Sequence, residues 1–416
     1  MKIKFITLGC KVNQYETQGL KEKFASFGAK VTQDKADCYI INTCTVTQRA
    51  DRKSKDAVLM AKKENPAARI IVCGCLAQSN RDSMEALGVD LVVSQDKKHL
   101  LPEIILGVLD GQSADHDSAD IWSLAITRFS QQRAFVKIQD GCDKYCSFCK
   151  IPYVRGPSRS RQYKQVLDEC ALVSRQHQEI VLCGINLGLY GKDLSPRRTL
   201  AGLVADILNI PTLGRLRLSS IEPSLADKAL RSLLANPKFC PHFHFPFQYG
   251  DDRILQAMNK KERVETYDKV VGAVRRINPD AAVSCDIMVG FPGENEKTFA
   301  NTVQFLRRIQ PMRMHIFSFS PREKTPLANA VAAPSNDTRR RYGLLKSLAD
   351  ELSGEYAKKF IGRTLSIVPE RRQAGFSSGY SENYLKIYVR GELTIGKLTP
   401  VKVKSLKKNK IYGNAS

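Results

Sequence analysis

Two sets of cysteines have types and spacing that suit metal chemistry. Cys142, Cys146 and Cys149 lie within eight residues, in Cys142-Asp-Lys-Tyr-Cys146-Ser-Phe-Cys149. Three thiolates so close can wrap one metal centre, and iron–sulfur clusters take cysteine thiolates as ligands. Zinc ribbons use paired two-residue spacings instead. No further Cys or His follows Cys149 within twenty residues to complete a zinc site. Three ligands on a four-iron cube leave one iron free for a substrate or cofactor. The second set, Cys10, Cys44 and Cys75, is scattered, but each member follows an apolar run that reads as a buried strand. The C-terminal ends of parallel strands form the ligand crevice of an open sheet, so three loops deliver three thiols to one edge. Three independent packing cysteines are the plainer alternative. Cys38, Cys73, Cys170, Cys183, Cys240 and Cys285, the other half of the twelve, read as packing residues.

These thiols need a scaffold, and the hydrophobic pattern supplies an α/β one in several parts. Residues 1–109 alternate apolar runs (Ile3–Leu8, Cys38–Ile41, Arg69–Cys73, Asp90–Val93) with helical stretches such as Gln14–Phe27 and Ala50–Glu64. This predicts an N-terminal open parallel sheet. Residues 110–130 are polar and aperiodic at first and read as a linker. Over 131–360, six strand–helix units suggest a partial (β/α)6 barrel with its site at the strand C-termini. Their strands are Phe135–Gln139, Ile180–Leu182, Leu216–Ser219, Phe243–Phe247, Val283–Met288 and His315–Phe319. Residues 361–416 carry short alternating runs between glycines, the pattern of a small antiparallel β-barrel.

Charge narrows the partner. A formal net charge of +23 favours a polyanion, and nucleic acid is the commonest large one. Five lysines and no acid fall within 402–410, including Lys402, Lys404, Lys407 and Lys408; with Tyr380, Tyr384 and Tyr388 they offer charge plus stacking faces. An edge-strand lysine set that blocks aggregation would look the same. No apolar run reaches membrane-spanning length, and the first residues are too briefly apolar for a signal peptide, so a cytoplasmic protein is expected.

Cys142–Cys149, with Phe148 before the last cysteine, resembles the hallmark of the radical S-adenosylmethionine superfamily. The whole chain resembles the radical-SAM methylthiotransferase family. The segments that carry this are Thr7–Glu16, Asn42–Thr47, Gly74–Gln78 and Gly141–Arg161, and the last domain, with Gly379–Leu385, resembles that family's TRAM RNA-binding module. Cys10-Lys-Val-Asn13 and Gly156–Arg161 look like the branch acting on threonylcarbamoyladenosine.

The resemblance implies two [4Fe-4S] clusters and S-adenosyl-L-methionine. The Cys10/Cys44/Cys75 cluster would carry sulfur, and the Cys142/Cys146/Cys149 cluster would cleave the cofactor to a 5′-deoxyadenosyl radical. It implies Gly184 and Asn186 near the cofactor's methionine, Glu222 at its ribose, Gln248 and Gly290 lining its site, and Tyr384 with the lysines on RNA. Glu222 could equally be a helix N-terminal acid, and Gly290–Glu294 an ordinary Pro-Gly turn. Tyr249 stands where the family usually has serine. Arg155, Arg159 and Arg161 are candidates for phosphate or the cofactor carboxylate, and His242, His244 and His315 read as satisfied core histidines.

The implied reaction puts a methylthio group on C2 of N6-threonylcarbamoyladenosine at tRNA position 37. The implied partners are a tRNA anticodon stem-loop and an electron donor such as flavodoxin or ferredoxin, with a monomeric chain and no membrane. Isopentenyl-adenosine tRNA and a ribosomal-protein aspartate are the alternative substrates. A non-catalytic metal-containing RNA-binding protein is the alternative of another class.

Overall fold

The computed structural model describes residues 1–107 and 121–415. A parallel sheet in the order β2-β1-β3-β4-β5 comes first: β1 (Lys2–Thr7), β2 (Lys30–Thr32), β3 (Cys38–Thr43), β4 (Arg69–Gly74) and β5 (Leu91–Val92). The three-residue edge strand β2 is an addition to the four expected. Helix Lys11–Ser26 buries Val12, Tyr15, Leu20 and Phe24, a spacing that keeps one stripe inward. Helix Gln48–Glu64 starts where Thr47 accepts from the Ala50 amide.

Six strands then form the expected partial barrel, as two three-stranded sheets. The first runs β10-β9-β6, from β6 (Arg133–Lys137), β9 (Glu179–Cys183) and β10 (Arg215–Leu218). A two-stranded ribbon, β7 (Gln139–Asp140) with β8 (Arg159–Ser160), brackets the cysteine loop. The second runs β11-β12-β13, from β11 (His242–Gln248), β12 (Ala282–Val289) and β13 (Arg313–Ser318). Only isolated bridges, such as Ser220 to His244, join the two sheets. Strict alternation sorts the side chains of β11: Phe243, Phe245 and Phe247 are buried, while His242, His244 and Gln248 share the other face.

The chain ends in a closed five-stranded barrel in the order β14-β15-β16-β18-β17. Its strands are β14 (Thr364–Gln373), β15 (Phe376–Ser381), β16 (Lys386–Arg390), β17 (Thr399–Lys407) and β18 (Lys410–Ala415). Closure was expected, but the β16–β18 pair is parallel rather than antiparallel. Closure leaves no free sheet edge. No helix among the described residues is long and apolar enough to cross a membrane.

The reading of 110–130 as linker needs division. Residues 110–120 lie outside the described residues. Beyond them Leu124, Ile126 and Phe129 are buried. Glu22 accepts from the Thr127 amide and hydroxyl, and Glu169 from the Ile126 amide, so this stretch is pinned to both flanking units. The pattern of sparse apolar residues hid that packing.

Buried ion clusters hold the units in register. Glu16, on the first helix, takes Lys98 at 2.7 Å, Lys137 at 2.8 Å and Arg155 at 3.1 Å. Asp140 shares Lys137 and Arg155 at 2.6 and 2.9 Å. Burial would push Glu16 up, but Arg155, Lys137 and Lys98 outweigh it and hold Glu16 well below the usual carboxylate range.

A second cluster joins the two barrels. Glu179, fully buried, receives Arg217 at 2.7 Å and Arg215 Nε at 2.6 Å. Arg215 also donates to the carbonyls of Ser366 and Tyr380, and Arg217 to those of Ser381 and Glu382. Burial works against the Glu179 charge, yet Arg215, Arg217 and Arg133 bring its pKa down to about 2 from an ordinary 4.5. Its contribution to stability is therefore complete above pH ~4.5 and disappears as pH falls toward ~2, roughly 3 kcal/mol in all. Glu179→Gln is expected to lose that acid dependence and to unfold about 3–5 kcal/mol more easily at neutral pH, by urea titration at several pH values. An unchanged acid slope would contradict the assignment.

Candidate active site

The fold brings the thiols of each set within electrostatic reach of one another. β1, β3 and β4 are neighbours, and Cys10, Cys44 and Cys75 all follow their C-terminal ends. Two glycines make the approach possible. Gly9 has φ +95°, and a Cβ there would sit 2.9 Å from the Cys44 Sγ; Gly74 has φ +96°, and a Cβ would meet Asn42 Oδ1 at 2.6 Å. Asn13 laces the loops by donating to the carbonyls of Leu8 and Thr43, at 2.8 and 2.9 Å. The Thr43 hydroxyl donates to the Cys73 carbonyl and accepts from the Leu76 amide beside Cys75.

The second triad lies in the loop between β7 and helix Ile151–Arg155. The Cys142 amide donates to the Gly156 carbonyl and the Cys149 amide to the Cys146 carbonyl. Ser147 fastens the loop to the carbonyls of Met258 and Ala257.

The donor chemistry of each triad fits a shared metal cluster. Burial pushes the Cys44 and Cys149 thiols up to about 12 and Cys142 to about 11, and members of a triad further oppose one another's ionisation. Such a set becomes three thiolates only when a cation shares it. Arg155 lies within electrostatic reach of the first triad and Lys260 of the second. The six remaining cysteines are all buried, five within apolar clusters and Cys240 beside the Glu179 ion cluster.

Two cavities adjoin between the triads. One, of about 420 Å³, is lined by Cys10, Lys11, Gly184, Ser219, Ser220, His242, His244, Ser284, His315 and Tyr384. The other, of about 360 Å³, is lined by Thr45–Thr47, Phe148, Cys149, Lys150, Gln248, Met288 and Phe317–Ser320. Asp286 lines both and so marks their junction. The loop after Cys44, one member of the first triad, is thus a wall of the cavity that Cys149 of the second triad lines. Arg322 holds it there, donating to the carbonyl and hydroxyl of Thr45 and pairing with Asp51 at 2.7 Å.

The expected site residues distribute unevenly over this space. Phe148 and Gln248 line the Cys149 cavity, and the Gln248 Oε1 is buried without a partner. Gly290 lines a neighbouring hollow that shares Ser318 and Phe319 with that cavity. Its amide donates to Glu294, which also accepts from the Tyr249 hydroxyl and from Arg341. Tyr249, where serine is usual, therefore points away from the cavity and braces this loop. Gly184 lies on the Cys10 side. Asn186, whose backbone is held by Gln139 Oε1, lines neither cavity. Glu222 also lines neither; Lys144 at 2.8 Å and Lys260 at 3.3 Å hold it under the cysteine loop. Lys402, Lys404, Lys407 and Lys408 are exposed. Tyr384 is not with them: it stacks on His242 at 4.5 Å in the cavity wall, with Arg217 over its ring.

Two readings are corrected. Arg155 and Arg161 are internal struts, bound to Glu16, Asp140 and Asn13 and to Glu169 and Tyr15 respectively, and Arg159 donates to the Arg155 carbonyl. Asp140 and Glu169 lie nearby in sequence, but Glu16 and Tyr15 come from the first helix, which local spacing does not show. His242 is buried and bonds Ser284 through Nε2, but its Nδ1 has no partner and its ring lines the Cys10 cavity. His244 and His315 face the cavity and flank Asp286, at 3.3 and 3.2 Å. Asp286 was missed altogether; its signal was the period-two pattern Ser284, Asp286, Met288 within an apolar strand.

Comparison with known proteins matches this geometry. Residues 2–94 match the family described as "Uncharacterized protein family UPF0004", and residues 136–306 match the radical SAM superfamily. The threonylcarbamoyladenosine tRNA methylthiotransferase MtaB of Thermotoga maritima is 35% identical, over 97% of this chain and 94% of its own. The chain belongs to the radical-SAM methylthiotransferase family. MtaB of Bacillus subtilis is likewise 35% identical over 96% of this chain and 93% of its own. The tRNA-2-methylthio-N(6)-dimethylallyladenosine synthase of Acetivibrio thermocellus is 30% identical, over 98% and 89%. Among solved structures, the radical S-adenosylmethionine methyltransferase TsrM from Kitasatospora setae shares the fold at TM-score 0.57 and 13% identity, over 79% of this chain and 77% of that one.

If Arg322 is what keeps the Cys44 loop against the second cavity, Arg322→Ala should raise amide hydrogen exchange across 44–47 at least tenfold while leaving β3 protected. Exchange unchanged in that loop would mean the contact is incidental.

Proposed function

We propose that this chain is the tRNA methylthiotransferase that converts N6-threonylcarbamoyladenosine, next to the anticodon at tRNA position 37, to its 2-methylthio derivative. One observation carries the reading: Cys10 of one thiol triad and Cys149 of the other each line one of two cavities that meet at Asp286. Replacing hydrogen on an aromatic carbon is beyond any side-chain acid or base, so a cofactor must do it. Two four-iron clusters, at Cys10/Cys44/Cys75 and Cys142/Cys146/Cys149, with S-adenosylmethionine would supply the sulfur and the radical.

The chain's own residues bind, orient and shield. Phe148 and Gln248 form the cofactor side, with Gly290 in the adjoining hollow and Gly184 on the Cys10 side, while Glu222 and Asn186 brace the loops behind these walls. The loop Thr45–Thr47, held by Arg322, closes the space between the triads against water. The base must be splayed from its stack to enter, which a loop nucleotide does cheaply. Lys402, Lys404, Lys407 and Lys408 give the closed C-terminal barrel a basic outer face for the RNA backbone, and Tyr384 serves the splayed nucleotide in the cavity wall. We assign 1–109, 131–360 and 361–416 as the catalytic α/β, radical-SAM and RNA-binding (TRAM) domains. A flavodoxin or ferredoxin as donor, a monomeric state and a cytoplasmic setting complete the reading.

Relatives named for dimethylallyladenosine make that substrate the second reading. Oxygen-protected protein is expected to hold about eight irons, falling to about four in Cys10→Ala/Cys44→Ala/Cys75→Ala or in the matching triple variant of the second triad. Nucleoside mass spectrometry of tRNA from a strain lacking the gene should lose 2-methylthio-N6-threonylcarbamoyladenosine only. An intact nucleoside profile, or a single cluster in the native protein, would remove the proposal.

A further inference from the structure

We propose that the cavity beside Cys10 is a carboxylate subsite in which Lys11 binds the acid group of the adenosine's N6 substituent. This rests on the substrate reading above and assigns how that substrate is told from its unsubstituted and apolar counterparts. Lys11 lines the cavity directly after the cysteine and forms no ion pair or hydrogen bond among the described residues. Its neighbours with positive charge are committed elsewhere: the Arg217 guanidinium is used by Glu179 and by the carbonyls of Ser381 and Glu382. Lys11 is close enough to Tyr384 to oppose the effect of burial on that phenol, so its charge acts across the cavity toward the C-terminal barrel.

A second observation is independent of the lysine. The Ser219 hydroxyl lines the same cavity, buried and without a hydrogen-bond partner. A buried unpartnered hydroxyl and an unpaired ammonium on one wall suit a ligand bearing both a hydroxyl and a carboxylate. The threonyl group carries both. An apolar prenyl group would strand the two, and sites built for polar partners reject such analogues strongly. Asp286, the one acid in the lining, has a histidine against each carboxylate oxygen, which tempers its repulsion of an incoming anion.

The test is equilibrium binding of anticodon stem-loop RNAs to anaerobically reconstituted full-length protein. Three RNAs are compared: one with N6-threonylcarbamoyladenosine, the same RNA with its threonyl carboxylate converted to the methyl ester, and one with plain adenosine. The wild-type protein should bind the acid about 10- to 100-fold more tightly than the ester, as a charge-assisted contact does. Lys11→Met, checked for full iron content, should erase that ratio while still binding the ester, and Lys11→Arg should keep most of it. Equal wild-type affinity for acid and ester overturns the subsite without reference to any variant, as does a Lys11→Met protein that keeps the preference. Incubation of the wild type with the acid RNA, S-adenosylmethionine and reductant separates the two claims. Product without an acid preference defeats the subsite alone, and no methylthio product defeats the substrate reading itself.

Discussion

The Glu16 carboxylate is the constraint on which the site depends. It sits on the helix that begins beside Cys10, and it is reached by Lys98 from its own domain and by Lys137 and Arg155 from the barrel. Arg155 ends the short helix after Cys149 and also donates to Asn13, which laces the Cys10 and Cys44 loops. One buried guanidinium thus touches the scaffolds of both triads. Taking five charged groups out of water costs more than ordinary packing would, and replacing them by apolar residues could give equal stability. The ion pairs are directional, so they favour one register of the two units, which is what two clusters on a shared chamber require.

The same logic repeats at the edges of the chamber. Glu179 fixes the C-terminal barrel through Arg215 and Arg217, which places Tyr384 in the cavity wall. Arg322 fixes the Cys44 loop against the cofactor side. Tyr249, Glu294 and Arg341 fix the Gly290 loop. Each tie joins residues far apart in sequence, and each positions backbone that touches a cavity rather than acting there itself.

That distribution explains what was legible beforehand. The parallel sheet, the six barrel strands and the closed terminal barrel follow from local signals: strand periods and glycine-punctuated alternation. The inward roles of Arg155 and Arg161 were not legible, because a basic loop looks alike whether it meets solvent or a distant helix, as Arg155 meets Glu16 across 139 residues and Arg161 meets Tyr15 across 146. Asp286 and the face of His244 and His315 were hidden for a related reason. Their neighbours are set by parallel register, Asp286 opposite His315 and His244 opposite Ser284, and register belongs to the sheet rather than to any one segment. Tyr384 read as surface aromatic because alternation tells which residues face out of a small barrel, not what that face is docked against.

Through the Glu16 network the two units keep Cys10 and Cys149 on adjoining cavities. The most direct measurement is the ratio of 5′-deoxyadenosine released to methylthio nucleoside formed, in Glu16→Gln protein that retains its full iron content. Loss of register predicts a ratio that rises at least tenfold over wild type, with cofactor cleavage continuing while sulfur insertion fails. A ratio equal to wild type in a fully loaded Glu16→Gln protein would contradict the account.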